Sequence, residues 1–353
     1  MKRFDVILLV SIIVMLAFGL LMIYDASSVI AFRDFNDKYH YIKEQLVWVV
    51  LGFIGMFIAY RFPYKSLYLL AVPALIFCLC LLIAVFIPGL GSRYLGASRW
   101  INLGFTSLQP SEFVKLSLAI YLAAWFSTKE KGRLPAFALL LGSILLLVML
   151  QPDMGTASII LAEAVIMYFL SGGSLTHFAF GVPIIGVLGF IFIKLEPYRA
   201  ARLASFLNVG SSLENTSYHV KQILIALGSG GLFGVGLGNS LQKYAYLPEN
   251  VTDSIFAIVA EEFGFFGSVI LIGLCFVIVW RGFMIASQTK DMFGKLLAAG
   301  IISFLGLQMA LNLAAMTALV PLTGVPLPFI SYGGSALIVD MIAIGILLNI
   351  SKQ

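Results

Sequence analysis

Tyr244-Ala-Tyr-Leu-Pro-Glu-Asn-Val-Thr-Asp253-Ser-Ile-Phe-Ala-Ile-Val-Ala-Glu261-Glu262-Phe-Gly264 passes from a polar loop into an apolar segment that continues to residue 280. The reading is a loop at a membrane surface feeding a spanning helix, with Asp253 expected on the helix's first turn. There the free backbone amides and the helix dipole favour an ionised carboxylate, which leaves Asp253 open to accept a proton or a cation. At about 100° per residue, Glu261 falls within roughly 80° of Asp253 and about 12 Å deeper, while Glu262 points the opposite way. Carboxylates inside a membrane span are costly and seldom idle.

The same alternation of apolar run and polar connection fills the chain. Its 353 residues are 61% hydrophobic and 11% charged, with a mean hydropathy of +1.02, which excludes a water-soluble globular domain. Runs near spanning length fall at 6–24, 45–60, 66–87, 113–126, 135–150, 156–171, 178–194, 254–280, 295–320 and 335–350. The expected fold class is therefore all-α: a polytopic membrane bundle of about ten transmembrane helices in one domain, residues 1–353. No alternating ten-residue strands of a membrane barrel appear. Several runs are short of the roughly 20 residues a bilayer needs, so those helices must extend into their flanks or tilt. Cys78, Cys80 and Cys275 all lie in apolar runs, which argues against a disulfide or a Cys-based zinc site. Lys2-Arg3 before the first run resembles a signal sequence, but the run is too long for one and reads as an uncleaved helix.

The net charge of +5 comes from basic residues scattered in short loops, which is not a nucleic-acid footprint. Lys2, Arg3, Arg61, Lys65, Lys129, Lys131, Arg133, Arg281, Lys290, Lys295 and Lys352 share one side with few acids, and that side reads as cytoplasmic, both termini included. Every unusual loop then faces outward: 89–112, 151–155, a long extracytoplasmic loop of 195–253 between helices 7 and 8, and 321–335. Long loops in a compact protein tend to carry function, so the active side is expected to face away from the cytoplasm. Within the long loop, Tyr218 to Leu227 has helical spacing and ends at Gly228, the pattern of a short interfacial helix.

Several motifs have both a chemical and a structural reading. Gly228-Ser-Gly-Gly-Leu-Phe-Gly-Val-Gly-Leu-Gly-Asn239 lacks the spacing of a nucleotide loop and reads as a flexible re-entrant or interfacial loop. In Gln109-Pro-Ser-Glu-Phe-Val-Lys115, Glu112 and Lys115 stand at i, i+3 on one helix face, either as a structural ion pair or with Lys115 meeting an anionic substrate. Arg99, Arg199 and Arg202 on the outer face would bind lipid headgroups singly, or clamp a pyrophosphate if they converge. Asp153, after a proline between two spans, reads as a helix cap or a cavity acid. Asp340 and Glu163, inside spans, are expected to be hydrogen-bonded within the protein. His219 stands alone and reads as a capping or packing residue.

Taken together, Gly96-Ala-Ser-Arg-Trp, Gln109 to Lys115, Gln151-Pro-Asp-Met-Gly-Thr156, Tyr244-Ala-Tyr-Leu-Pro-Glu, Thr252-Asp253, Glu261-Glu262-Phe-Gly and Gly324-Val-Pro-Leu-Pro-Phe-Ile-Ser-Tyr-Gly-Gly-Ser335 resemble the SEDS family of shape, elongation, division and sporulation proteins. The likeness covers essentially the whole chain and is closer to the division members than to the elongation members. It implies a peptidoglycan glycosyltransferase in the bacterial cytoplasmic membrane that polymerises lipid II on the outer face. It also implies pairing with a class B penicillin-binding protein as transpeptidase, other divisome proteins as partners, and Asp253 as the essential aspartate. The family commonly reads His-Thr-Asp-Phe here, whereas this chain has Val251-Thr-Asp-Ser254, so no role of that His or Phe carries over. Lipid II carries its sugar α-linked to pyrophosphate and the polymer is β-1,4 linked, so one inverting displacement with one general base suffices. Arg99, Lys115, Arg199, Arg202 or a divalent cation, Mg2+ or Mn2+, are the candidates to neutralise the departing pyrophosphate; Glu112 and Asp153 complete the candidate substrate site, and the metal ligands are unknown. A lipid II flippase would share this composition but distribute ionisable residues through the bundle. A non-catalytic scaffold for a transpeptidase would tolerate loss of the Asp253 carboxylate.

Overall fold

In the computed structural model the described residues are 4–352 apart from 95–96, 103, 105, 129–131, 196–199, 201, 205, 207–216 and 245. Each of the ten apolar runs becomes an α-helix: α1 (Val6–Phe35), α2 (His40–Arg61), α3 (Leu67–Ala84), α4 (Pro110–Phe126), α5 (Leu134–Leu150), α6 (Met154–Leu170), α7 (Leu175–Leu195), α9 (Ile255–Gln288), α10 (Met292–Met316) and α11 (Gly334–Ile350). Between α7 and α9 lies α8 (Tyr218–Gly230), the short helix expected from the spacing of Tyr218 to Leu227 and three residues longer than that pattern. At about 1.5 Å per residue its 13 residues reach roughly 20 Å, too short to cross a bilayer.

The helices sort by what they bury. α2 and α3 expose Val47, Phe57, Leu69 and Phe77, a face suited to lipid. α10 is the central element, with 72% of its span buried, packed against α4, α6, α9 and α11. α4, α5, α6 and α11 are 17 residues each, about 26 Å long, and α4 and α11 are largely enclosed by their neighbours. α2 and α11 lie close along their lengths because a Cβ at Gly345 would stand 2.4 Å from the Met56 carbonyl. Small residues permit that approach and the dispersion contacts that hold membrane helices together.

Both chain ends meet at one end of the bundle: the Asp5 amide donates to Ser351 Oγ at 3.2 Å, and Asp5 pairs with Arg281. Tyr64 on the same end donates its backbone N–H to Asn349 at 3.1 Å. The loops singled out in the sequence gather at the opposite end. Two local features were not foreseen. Residues preceding α4 form a small antiparallel sheet, β1 (Gly91–Tyr94), β2 (Ala97–Asn102) and β3 (Ser107–Leu108), in that spatial order. Strands of two to six residues are too short to leave a periodic signature.

The second is a break inside α9. Gly264 has φ 65° and ψ −162°, and the chain there exchanges backbone bonds with the Gly-rich loop: Phe265 N to Gly231 O at 2.9 Å, and Val235 and Gly236 N to Glu261 and Glu262 O at 3.0 Å. The Gly-rich run is thus a packed inset rather than a flexible loop. A Cβ at Gly234 would lie 2.0 Å from the Glu262 carbonyl, so only glycine lets the two backbones touch.

Candidate active site

Asp253 does not lie on the first turn of a helix. It sits in the turn before α9, two residues ahead of Ile255, with Ser254 at the N-cap position. The turn is closed by Glu249, in the left-handed region at φ 50°, whose carbonyl accepts from Thr252 N at 3.2 Å and Ser254 N at 3.1 Å. Three outside groups fix this turn. Asn312 of α10 donates to the Asp253 carbonyl at 2.7 Å and to the Val325 carbonyl at 2.8 Å. Ser331 Oγ donates to the Thr252 carbonyl at 2.5 Å, and Tyr332 N to the Val251 carbonyl at 2.8 Å. The 321–335 loop and the Asp253 turn are therefore one clamped unit.

The Asp253 carboxyl is 8% exposed, with Thr252 Oγ1 3.2 Å from its Oδ1 and 2.9 Å from Glu249 Oε2. Burial, reinforced by the Glu249 charge, lifts its pKa from 3.8 to about 6, with Arg202 pulling the other way. This reverses the expectation drawn from the helix dipole: loss of water outweighs the partial charge of a helix end. The side chain that Gly324 lacks would begin 3.8 Å from Asp253 Oδ2, so the approach to the carboxylate runs past a bare backbone.

Beside the turn is a cleft of about 280 Å³ between the start of α8, the end of α10 and the segment after it. Its polar lining is Arg202, Ser217 and His219; Val220, Ala315, Val320 and Leu322 supply the apolar wall. Arg202 is anchored by a bond to the Leu322 carbonyl at 2.8 Å. His219 Nε2 lies 2.7 Å from Ser254 Oγ, next in sequence to Asp253.

The remaining candidates fall into separate groups. Arg99 donates to the carbonyls of Gln151, at 3.1 Å, and Pro152. Asp153 caps α6, accepting from Thr156 N at 3.1 Å and Thr156 Oγ1 at 2.8 Å, and also receives Gln109 Nε2 at 3.4 Å. Lys115 is wholly buried, paired with Glu112 at 2.8 Å and with Gln308, whose amide reaches the Pro326 carbonyl at 3.2 Å. Arg199 lies outside the described residues. Asp340 and Glu163 were expected to be hydrogen-bonded; both oxygens of each lack a hydrogen-bond partner among the described residues, and Lys115 is the cation acting on both.

Glu261 and Glu262 serve the inset. Glu261 accepts from Ser229 Oγ at 3.3 Å and from Ser240 Oγ, and Glu262 accepts from Ser240 N at 3.1 Å and Lys243 Nζ at 3.2 Å. Lys243 also pairs with Asp25 of α1 at 2.9 Å. Sequence reasoning missed Asn312, Ser331, the Lys243 pairings and the contact of His219 with Ser254, because each joins residues 13 or more apart with no local pattern. Among the described residues no three His, Cys, Asp or Glu side chains converge as a metal site.

The sequence profile of the FtsW/RodA/SpoVE cell cycle proteins matches residues 6–353, so the chain belongs to that family. Stage V sporulation protein E of Bacillus subtilis is 40% identical over 356 residues, covering 99% of this chain and 97% of that protein. A probable peptidoglycan glycosyltransferase FtsW of Geobacter sulfurreducens is 39% identical over 360 residues, covering 100% and 96%. Among solved structures, a chain from a study of polymerization and crosslinking by a peptidoglycan synthase complex superposes with TM-score 0.81 at 26% identity, covering 99% of this chain and 97% of that one. The Thermus thermophilus rod shape determining protein RodA gives 0.72 at 27%, covering 99% and 96%. The chain is thus a multi-pass membrane protein of this family.

Proposed function

We propose that this protein is a peptidoglycan glycosyltransferase that polymerises lipid II into β-1,4 glycan strands, with Asp253 as the general base. The observation that carries the proposal is the Asp253 turn itself: a buried carboxyl held near pKa 6 beside a cleft with one cationic and one apolar wall. A base of that strength is mostly ionised at neutral pH yet takes up a proton readily. Asp253 removes the proton of the acceptor's 4-hydroxyl as that oxygen attacks the anomeric carbon of the donor, and the bond to pyrophosphate breaks with inversion. Arg202, in the cleft wall, faces the developing negative charge. Arg99 and Lys115 are not part of the cleft lining and hold protein groups elsewhere, so their support for the reaction is to keep the surrounding loops in place. Relatives 38% and 39% identical are named as probable peptidoglycan glycosyltransferases, which supports the reading.

The charge asymmetry of the loops supports a site on the outer face of the cytoplasmic membrane with both termini inside. A class B penicillin-binding protein is the fitting partner, since a structural neighbour belongs to a complex described as coordinating polymerization and crosslinking. The test is polymer formation from labelled lipid II by the purified chain with its cognate transpeptidase, comparing wild type with Asp253→Asn at equal folded amount. Wild type makes strands and the variant loses at least about 10² in rate. Polymerisation by both would make Asp253 structural; product from neither would favour a flippase or a scaffold.

A further inference from the structure

α8 opens with Ser217, whose hydroxyl caps the first turn by accepting from Val220 N at 3.4 Å. In that first turn His219 reaches across to Ser254, the N-cap residue of α9. Ser254 is fully buried, and among the described residues its hydroxyl contacts only the His219 ring, at 2.7 Å from Nε2. Burial also lowers the His219 pKa to about 4, so the ring is neutral at physiological pH. The buried Ser254 hydroxyl has no other hydrogen-bond acceptor among the described residues, so its proton is assigned to Nε2 and the single ring proton to Nδ1. Nδ1 has no partner among the described residues, and the ring borders the cleft together with Arg202. A ring N–H donor in the lining of a cleft that also carries a guanidinium and an apolar wall matches an anionic oxygen at the head of a long apolar chain.

We propose that His219 is a substrate-binding residue: held at Nε2 by Ser254, it donates Nδ1–H to a phosphate oxygen of the polyprenyl-pyrophosphate-linked substrate seated in the cleft. The proposal rests on the polymerase reading. It also gives the Asp253 turn a mechanical link to the bound phosphates, because Ser254 is the residue next to the base. Arg202 supplies the charge, and His219 supplies direction.

The experiment uses the full-length chain with its transpeptidase, fluorescent lipid II as substrate, and undecaprenyl pyrophosphate as a competitor that has the phosphates but no sugar. In His219→Ala and His219→Phe, KM for lipid II rises about tenfold, the scale of one hydrogen bond to a charged group, while kcat stays within about twofold. The inhibition constant of undecaprenyl pyrophosphate rises by the same factor, and the acid limb of the rate profile stays in place. His219→Gln, which keeps an N–H donor, recovers at least about half of the lost affinity; Ser254→Ala, which frees the ring, raises both constants about threefold. Unchanged KM and inhibition constant in folded His219→Ala and His219→Phe would overturn the proposal, as would a loss confined to kcat. A KM rise without a matching change in the competitor would place the contact on the sugar and overturn the phosphate assignment. Should wild type make no polymer, the polymerase reading fails first; direct binding of undecaprenyl pyrophosphate to wild type and His219→Ala then decides the His219 contact by itself.

Discussion

At Asp253 two influences oppose each other, and their balance sets the pH at which the proposed base loses its proton. Burial and the Glu249 charge hold the proton on; Arg202 and the Thr252 hydroxyl favour its loss. With Asp253 as the proposed base the active form is the ionised one, so polymerisation is expected to rise with pH through about 6 and to fall roughly tenfold per unit below it. Glu249→Gln removes the like charge, lowers the Asp253 pKa and moves that limb toward lower pH. Initial rates of lipid II polymerisation from pH 4.5 to 8 measure both curves, and a limb that stays in place in Glu249→Gln would mean that another group titrates. At the same scale, His219 shows why a lone histidine resists interpretation from sequence. Its partner is 35 positions away, on the far side of the longest loop.

Among the elements, α9 is the least ordinary, since a helix of 34 residues is interrupted at Gly264 to admit the Gly-rich inset. Backbone groups freed by the break are satisfied by residues 231–236, which is what allows irregular backbone at membrane depth. Gly234→Ala would push a Cβ to 2.0 Å from the Glu262 carbonyl at a residue with φ +82°. The expected cost is at least about 2 kcal/mol, from strain and from separating the two backbones. Gly228→Ala is the matched control: it lies within α8 with open space around its Cβ, so it is neutral or stabilising by up to about 1 kcal/mol. Thermal unfolding of the two variants in detergent distinguishes them. Equal melting temperatures would show that the inset does not hold the break.

Over the whole molecule, the buried charges are placed where elements must be locked together. Lys115 joins α4 to α10 through Gln308 and acts on carboxylates of α6 and α11, and Lys243 joins the inset to α1 and α9. Lys115→Met leaves Glu112 buried without its cation, at a cost of about 3–5 kcal/mol, and Glu112→Gln in the same chain restores much of it. Comparing the two variants by thermal unfolding checks this; equal losses would mean that the pair is not what the lysine provides. Membrane orientation is tested with single cysteines in a background lacking Cys78, Cys80 and Cys275. A cysteine at Lys38, in the exposed loop between α1 and α2, reacts with a membrane-impermeant maleimide from outside intact cells, and one at Lys290 reacts only after lysis. The opposite pattern would invert the proposed topology and move the Asp253 turn inside.

The ten apolar helices, the short helix from Tyr218 and the shared helix face of Glu112 and Lys115 could be read directly from the chain. Each depends on residues a few positions apart, where hydropathy and helical spacing act without help from the rest of the fold. Asp253 was legible as a carboxylate where a loop meets a span, but its protonation was not, because burial is a property of everything packed around it. The same holds for the β1–β3 sheet, the break at Gly264 and the Asn312 clamp. Periodicity in the sequence decided which segments enter the membrane; only the packed bundle decided which polar groups lose water and which distant partners replace it, since those energies arise between elements and leave no mark within any one of them.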